Sequence, residues 1–210
     1  MEQKIYKIFI MGPQGSGKGT QAELLSKKLG IPAFSMGQLL RDEITTGSLL
    51  GEQIASIINV GNLVPDTIAA SVLKERLEKP DLKDGYILDG FPRDRSQYEA
   101  FTFDKPTHVI VIEVPKEESL RRLSGRLVCG ICWKTTNKET GAQIGDLCSC
   151  GGKYIERDDD KPEAILRRLD IYQKDTLSII DGYKKEGLVY FVDGIGGKEV
   201  IHERILALLK

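Results

Sequence analysis

The chain has 210 residues, 40% of them hydrophobic and 29% charged, which suffices for one sizeable core with small inserted lobes. Its 30 basic and 31 acidic side chains give a formal net charge of -1, which excludes a global electrostatic attraction to nucleic acid or anionic membrane. No apolar run approaches the roughly 18 residues of a membrane span and no signal-peptide cleavage site follows the first apolar stretch, so we expect a cytoplasmic protein without nucleic-acid or membrane partners.

Short apolar runs alternate with helical patterns along the chain. We predict buried strands at Lys4–Met11, Ile31–Ser35, Gly85–Asp89, Thr107–Val114 and Leu188–Asp193. Helical patterns lie at Thr20–Leu29, Asp66–Lys79, Arg95–Phe101, Lys116–Ser124, Pro162–Lys185 and Lys198–Leu209. This alternation predicts an α/β fold, with a parallel sheet covered by helices on both faces.

Two segments interrupt the alternation of strand and helix. Gly37–Gly61 holds two short helical patterns and no strand. Leu127–Tyr154 is rich in glycine, threonine and cysteine and has little helical periodicity. We interpret both segments as lobes inserted between elements of the core, not as linkers between independent domains.

A glycine-rich stretch, "MGPQGSGKGT", follows the first predicted strand and opens the first helix. Glycines at 12, 15 and 17 let the backbone curl so that N–H groups point at phosphate oxygens, and Lys18 adds a full positive charge. The alternative is a glycine-rich turn with an incidental lysine. Because strand, spacing and helix are all in register, the stretch favours a phosphate-binding loop.

The residue after this lysine departs from the general phosphate-loop pattern. That pattern places Ser or Thr there to hold Mg²⁺, whereas this chain has Gly19 and then Thr20. We therefore expect the magnesium to be held largely through water and another carboxylate. Asp89 ends a buried apolar strand, where an unpaired carboxylate is costly, and is the candidate. The alternative is that Asp89 caps the helix that follows Pro92.

Five motifs stand in one order over residues 5 to 210: "GPQGSGKGTQAELL", "GNLVPD", "GYILDGFPRDRSQ", "RLSGR" and "RDDDKPEAILRRLDIY". In this order the chain closely resembles the adenylate kinase family of nucleoside monophosphate kinases, in the long form whose lid can carry zinc. The resemblance implies a three-layer P-loop NTPase fold with a five-stranded parallel sheet. It also implies a core of residues 1–34, 65–126 and 157–210, a helical NMP-binding lobe at 35–64 and a lid at 127–156.

The family's reaction is MgATP + AMP ⇌ MgADP + ADP, and the resemblance implies ATP and AMP as substrates, Mg²⁺ with ATP, and a monomer. By position, Arg41 and Arg93 would hold the acceptor's α-phosphate, because the arginine fork binds phosphate oxygens and stays charged. The donor and the moving phosphoryl group would be held by Arg126, Arg157 and Arg168. Taken singly, each arginine could equally be a solvated surface charge.

The resemblance assigns further residues by their match to family positions. Arg122 would lie against the donor base. The implied catalytic residues are Lys18, Asp89, Arg93, Arg126, Arg157 and Arg168. The implied nucleotide-binding residues are Gly15, Ser16, Gly17, Lys18, Gly19, Thr20, Met36, Arg41, Asn62, Leu63, Val64, Gly90, Phe91, Pro92, Arg93, Gln97, Arg122, Arg126, Thr135, Thr136, Arg157, Arg168 and Gly196.

Two carboxylates follow Arg157 directly. Asp158 and Asp159 either orient arginines and brace the closed lid, or form an acidic N-terminus for the helix that begins at Pro162. The sequence leaves both interpretations open.

Gln97 occupies the position of the family's adenine-reading glutamine, and its amide offers a donor and an acceptor to the adenine N6/N1 edge. The resemblance places the backbone of Asn62–Val64 in the same acceptor pocket. Where the family usually has Thr-Gly-Asp, this chain has Met36, Gly37 and Gln38. Met36 removes a hydroxyl near the acceptor base and adds flexible apolar bulk. We expect AMP as the preferred acceptor, with looser selectivity.

All four cysteines lie in the lid segment, at 129, 132, 148 and 150. A lobe of about 28 residues cannot hold its shape by apolar burial alone, and four thiolates suit tetrahedral Zn²⁺. The resemblance also places Thr135 and Thr136 against the donor nucleotide. The second pair departs from the family's Cys-x2-Cys spacing, because Leu147 stands where a ligand is expected. Either the loop brings Cys148 in, or Asp146 contributes oxygen, or the lid holds free thiols without metal.

Three other functions compete with this reading of the sequence. The same fold could act on another monophosphate. The chain could be a catalytically idle regulator that binds nucleotide and zinc, although Lys18, Asp89, Arg93 and Arg126 are intact. A hydrolysing P-loop switch is disfavoured, because it would need Ser or Thr directly after Lys18.

Overall fold

A computed structural model describes residues 5–209 of the chain. Residues 1–4, with which the first predicted strand and core segment begin, and residue 210 lie outside the described part. Within residues 5–209, eight strands form two sheets. No helix among the residues described is both long and apolar enough to cross a bilayer.

The larger sheet is five-stranded and parallel throughout, in the order β2-β3-β1-β4-β8. This confirms the predicted sheet. Its strands are β1 (Tyr6–Met11), β2 (Ala33–Ser35), β3 (Gly85–Asp89), β4 (His108–Glu113) and β8 (Val189–Asp193). The smaller sheet is antiparallel, in the order β6-β5-β7. It comprises β5 (Arg126–Cys129), β6 (Thr135–Asn137) and β7 (Tyr154–Ile155).

Helices cover both faces of the larger sheet, as predicted. They are α1 (Lys18–Leu29), α2 (Met36–Thr45), α3 (Leu49–Ile58), α4 (Asp66–Leu77), α5 (Arg95–Ala100), α6 (Lys116–Ser124), α7 (Pro162–Ile171), α8 (Leu177–Lys185) and α9 (Lys198–Leu208). Single 3-10 turns lie at Pro80–Leu82, Lys138–Thr140 and Asp158–Asp160.

The central strand sends alternate side chains into two separate cores. Ile8 and Ile10 pack in a cluster with residues of α1 and α9. Phe9 and Met11 point to the opposite face, into a cluster with residues of α4 and α8. Because side chains alternate along a strand, a continuous apolar run such as β1 is what a sheet buried on both faces requires.

The predicted helix Pro162–Lys185 is interrupted by a π turn at Tyr172–Thr176, which separates α7 from α8. The buried Thr176 hydroxyl donates a hydrogen bond of 2.7 Å to the carbonyl oxygen of Arg93. Single π turns inside helices occur often at functional sites. Apolar periodicity predicted one continuous helix, because it does not distinguish a π turn from an α turn.

The two inserted segments take different forms. The first predicted lobe holds α2 and α3, which pack on each other, as the two helical patterns indicated. Leu40 and Ile54 from these helices are buried in the same cluster as Phe9. The second lobe holds the small antiparallel sheet.

Candidate active site

A cavity of about 860 Å³ opens at the carboxyl ends of β1 and β3. Parallel α/β sheets bind ligands at this edge, where the connections diverge to either side of the central strand. Nineteen of the predicted nucleotide-binding residues line the cavity, together with Asp89 from the catalytic set: Gly15, Ser16, Gly17, Lys18, Gly19, Thr20, Arg41, Leu63, Gly90, Phe91, Pro92, Arg93, Arg122, Arg126, Thr135, Thr136, Arg157, Arg168 and Gly196.

Four predicted binding residues lie behind or beside the cavity. Met36 and Val64 are buried in the main core, with 4% and 5% of their surface exposed. Asn62 is exposed. Gln97 is buried, and its Oε1 accepts a 2.9 Å hydrogen bond from the backbone N–H of Arg93. Gln97 therefore holds the chain that carries Arg93.

The phosphate loop leaves no room for side chains at two of its glycines. A Cβ atom at Gly12, where φ is 139°, would lie 2.3 Å from the carbonyl oxygen of Ile112. A Cβ atom at Gly15, where φ is 82°, would lie 2.8 Å from the carbonyl oxygen of Ser119. Only glycine combines positive φ with such close approach. The loop ends at Gly17, which caps α1, so this helix begins two residues before its predicted start.

Lys18 is partly buried at the floor of the cavity, where its Nζ donates to the carbonyl oxygens of Gly12 and Pro13, both at 2.8 Å. Burial lowers the pKa of Lys18 to about 8, and Arg93 acts in the same direction while Asp89 opposes it. A phosphate group bound beside this ammonium would stabilise its charged form and raise its pKa again, so Lys18 favours an anionic ligand.

Asp89 lies beside this lysine at the end of β3. Burial raises its pKa, while Lys18 and Arg93 oppose the shift. Its Oδ1 is buried, and no hydrogen-bond partner for it lies among residues 5–209. The alternative role as a helix cap is filled by another residue, because the Asp94 side chain accepts the N–H of Gln97 at 2.8 Å and caps α5.

Three arginines of the cavity, Arg126, Arg157 and Arg168, are largely buried and paired with carboxylates, so they are not solvated surface charges. Nε of Arg126 donates to Oδ2 of Asp160 at 2.7 Å. Nε of Arg157 donates to Oδ1 of Asp159 at 2.7 Å, and Nη1 of Arg168 lies 2.9 Å from Oδ2 of the same carboxylate. The exposed fractions of the Arg126, Arg157 and Arg168 side chains are only 18%, 12% and 12%.

The three aspartates that follow Arg157 have different partners. Burial alone would raise the pKa of Asp159, but Arg168 and Arg157 outweigh it and hold that pKa well below the usual range. Asp159 thus orients arginines, as one of the two interpretations stated. Asp158 is exposed and pairs with Lys161 at 3.2 Å. Asp160, which the sequence analysis did not single out, is the partner of Arg126.

The four cysteine sulfurs of the lid segment all lie within 4.8 Å of one another. Sγ of Cys129 is 3.4 Å from Sγ of Cys150, and Sγ of Cys132 is 3.6 Å from Sγ of Cys148. Tetrahedral Zn²⁺ with Zn–S bonds of about 2.3 Å places its sulfurs about 3.8 Å apart, so the cluster fits the ion. Backbone N–H groups of Cys132 and Cys150 lower the pKa values of Cys129 and Cys148, whereas the neighbouring cysteine sulfurs raise the pKa of Cys132.

A tight turn brings Cys148 into this cluster despite its shifted position in sequence. The N–H of Cys148 donates to the carbonyl oxygen of Gly152 at 2.7 Å, and the N–H of Gly151 donates to the carbonyl oxygen of Cys148 at 2.9 Å. Leu147 instead points outward, with 72% of its surface exposed. Asp146 is engaged elsewhere, because its Oδ2 accepts the N–H of Gln143 at 2.8 Å. Of the two ways stated of completing a four-ligand cluster, the structure shows the loop shift that brings Cys148 in, and not a contribution from Asp146.

Comparison with known proteins identifies the family. The family model of adenylate kinase matches residues 10–188. An adenylate kinase of Methanothrix thermoacetophila is 40% identical over 209 residues, covering 96% of this chain and 97% of that protein. Adenylate kinases of Methanosarcina barkeri and Streptomyces avermitilis are 39% and 38% identical, each covering 97% of this chain, and 98% and 97% of their own lengths. The chain belongs to the adenylate kinase family.

Membership in the adenylate kinase family makes the chain a nucleoside monophosphate kinase, a phosphotransferase that transfers a phosphoryl group between ATP and AMP. The predictions of family, fold and enzyme class are thereby confirmed. Adenylate kinases use MgATP, and the cysteine cluster of this chain can hold a structural zinc.

Two aromatic residues that line this adenylate kinase cavity were not predicted as site residues from the sequence. Trp133 lines the cavity directly after Cys132, and its ring lies 4.8 Å from the guanidinium carbon of Arg41. Tyr172 lines it at the start of the π turn. Trp133 is the one tryptophan in the sequence and stands between a cysteine pair and a predicted donor contact, a signal that could have drawn attention to it.

Proposed function

We propose that the chain catalyses MgATP + AMP ⇌ MgADP + ADP by direct in-line transfer within this single cavity. The supporting observation is the convergence of Lys18, Arg41, Arg93 and the lid-side arginines on one space beside a glycine cradle. Phosphoryl transfer asks little covalent chemistry of the protein, so alignment of the two phosphates and neutralisation of their charge supply the rate.

In this proposal each cation has a place along the line of transfer. Lys18 and the loop N–H groups hold the β- and γ-phosphates of the donor. Arg41 and Arg93 hold the α-phosphate of the acceptor. Arg126 and Arg168 stabilise the phosphoryl group in transit, and their carboxylate partners orient them.

Asp89 and Thr20 would hold the magnesium of MgATP. The buried Oδ1 of Asp89, for which the described residues offer no partner, is a hard oxygen ligand of the kind that Mg²⁺ prefers. When bound, the ion would neutralise phosphate charge. Gly19 keeps the approach open, since a Cβ there would lie 3.5 Å from Oδ2 of Asp89.

AMP is the proposed acceptor, and residues 35–64 and 127–156 are the proposed acceptor lobe and lid. The Gln97 amide lies next to Arg93, and one lone pair of its Oε1 is used by the Arg93 backbone. Because Met36 packs in the core, its replacement of a threonine would remove a polar contact without filling the pocket, which supports looser selectivity. The proposed enzyme is a cytoplasmic monomer; a cysteine cluster that can hold a metal is typical of proteins from a reducing compartment.

A coupled assay with ATP and a panel of AMP, GMP, CMP and UMP tests the proposed function. We expect the highest kcat/KM with AMP, and no ADP formation by the Lys18→Met variant. Preference for a pyrimidine would overturn the role of Gln97. ATP binding without ADP formation by the unaltered protein would instead favour an idle nucleotide-binding regulator.

ATP binding should take up a proton when the pH is above 8. With a pKa of about 8, Lys18 is mostly neutral at pH 8.5 in the free site, and donor phosphates restore its charge. Isothermal titration calorimetry in buffers of different ionisation enthalpy should report a net uptake of up to about one proton per ATP at pH 8.5. Lys18→Met should abolish this uptake. An uptake that persists in that variant would assign the proton to another group.

A further inference from the structure

A cation–π contact joins the two inserted segments across the mouth of the cavity. Arg41 belongs to α2, and Trp133 belongs to the turn between β5 and β6. The guanidinium carbon lies 4.8 Å from the centroid of the indole ring, within the range of about 6 Å for an attractive contact. Both side chains line the same cavity.

The backbone at Trp133 is held in a conformation that large side chains avoid. Its φ of 60° is the only positive φ of a non-glycine residue within residues 5–209. The N–H of Trp133 donates to the carbonyl oxygen of Cys129 at 3.1 Å, so the turn between Cys129 and Cys132 fixes this position. A strained aromatic residue at a cavity wall persists only where its surroundings over-determine it.

Arg41 gains from the ring because its surroundings disfavour its charge. Burial lowers the pKa of Arg41 to about 9, and repulsion from Arg157 acts in the same direction. Its buried Nε has no partner among the described residues, and its contact with Oε1 of Gln38 is long, at 3.4 Å. The contact with the negative face of the Trp133 ring is therefore one of the main interactions that hold the Arg41 guanidinium in place.

We propose that Trp133 is a positioning residue for the acceptor phosphate: the lid carries the indole onto Arg41 and fixes the guanidinium for the incoming monophosphate. The proposal rests on the proposed function in assigning Arg41 to the acceptor. It follows that the acceptor side of the cavity is fully organised only when the donor-side lid is in place. Trp133 acts through Arg41 and has no role in the chemical step.

Fluorescence of the free protein tests the contact without any catalysis. Because the chain has one tryptophan, its emission reports Trp133 alone. Arg41→Ala uncovers one face of the ring, so we expect the emission maximum to move to longer wavelength. The control Arg95→Ala removes an exposed arginine of α5 and should leave the spectrum unchanged. An Arg41→Ala spectrum identical to that of the unaltered protein would overturn the contact.

A kinetic double-mutant cycle tests the role. Trp133→Leu should raise KM for AMP about 2- to 30-fold, the range of a cation–π contact, with KM for ATP unchanged. On the Arg41→Ala background the same substitution should have no further effect. Ile131→Ala, at a neighbouring lid position that is 68% exposed, is the matched control and should match the unaltered protein.

Each outcome of the cycle decides the proposal. An unchanged KM for AMP in Trp133→Leu overturns it, and so does an equal rise with and without Arg41, because that indicates general damage to the lid. Retained melting temperature and metal content in Trp133→Leu exclude misfolding. If the unaltered protein forms no ADP, the proposed function fails, whereas the fluorescence experiment still judges the contact.

Discussion

Arg93→Ala is expected to lower kcat by about 10³-fold or more and to raise KM for AMP. Removal of a single pre-aimed donor to a transition-state oxyanion typically costs about 10²–10³ in rate, and arginines that stabilise a transferring phosphoryl group contribute about 10³–10⁵. Arg93 is partly buried in the cavity wall, and burial lowers its pKa, so its charge acts in a poorly solvated position. Steady-state kinetics with ATP and AMP measure the effect.

The fold should survive this substitution, because it removes only a local side-chain bond, from Nε of Arg93 to the carbonyl oxygen of Gly90 at 2.7 Å, while two contacts of the backbone at position 93 remain. Gln97 accepts the N–H of Arg93, and Thr176 donates to its carbonyl oxygen. Arg95→Ala is the matched control, two positions along, since the Arg95 side chain is 65% exposed and pairs with Glu99. Near-normal kinetics in Arg93→Ala with an unchanged melting temperature would contradict its assigned role.

Removal of zinc is expected to abolish the order of the lid and reduce kcat/KM for ATP by about 10²-fold, the size of effect expected when transition-state donors are lost. The lid sheet is three short strands and cannot bury enough apolar surface to remain folded alone. The binding free energy of structural zinc in small peptides is about 10–16 kcal/mol. Loss of the ion would therefore remove more free energy than the three short strands can supply. Arg126 and Arg157 flank the lid and would lose their fixed placement.

Cys148→Ser and its neighbour Ser149→Ala form a matched pair for this experiment, because position 149 carries no thiol of the cluster. Metal analysis should find one zinc per chain in the unaltered protein and in Ser149→Ala, and less in Cys148→Ser. Limited proteolysis should cut Cys148→Ser within 127–156 and spare the core. Purified protein without stoichiometric metal, or a lid that resists protease after chelation, would exclude a structural zinc.

The core and the position of the site could be predicted because their signals are local. Lys18 and Asp89 both follow predicted buried strands, and the parallel sheet brings the carboxyl ends of β1 and β3 together. The glycine spacing of the phosphate loop reflects backbone clashes with Ile112 and Ser119, which any sequence forming this loop must avoid. Periodicity and spacing therefore report these features directly.

The pairings within the site could not be predicted, because they depend on contacts between distant segments. Nothing in "RDDD" distinguishes Asp160, which meets Arg126, from Asp158, which faces solvent. The shifted Cys148 joins its cluster through a tight turn with Gly151 at a φ of 86°, a feature of backbone geometry and not of ligand spacing. The contact of Trp133 with Arg41 likewise joins two lobes that are separate in sequence.

The division of β1 between two cores links each face of the sheet to a different part of the site. Ile8 and Ile10 pack with Ala22 and Leu25 of α1, the helix that begins at Lys18, so a change of side-chain volume there acts on the phosphate loop. On the other face, Phe9 shares its cluster with Leu40 and Ile54 of the lobe that carries Arg41. A substitution that adds or removes a methyl group in this cluster should therefore shift α2 and α3. We expect it to change the stability of the protein and its affinity for the acceptor together.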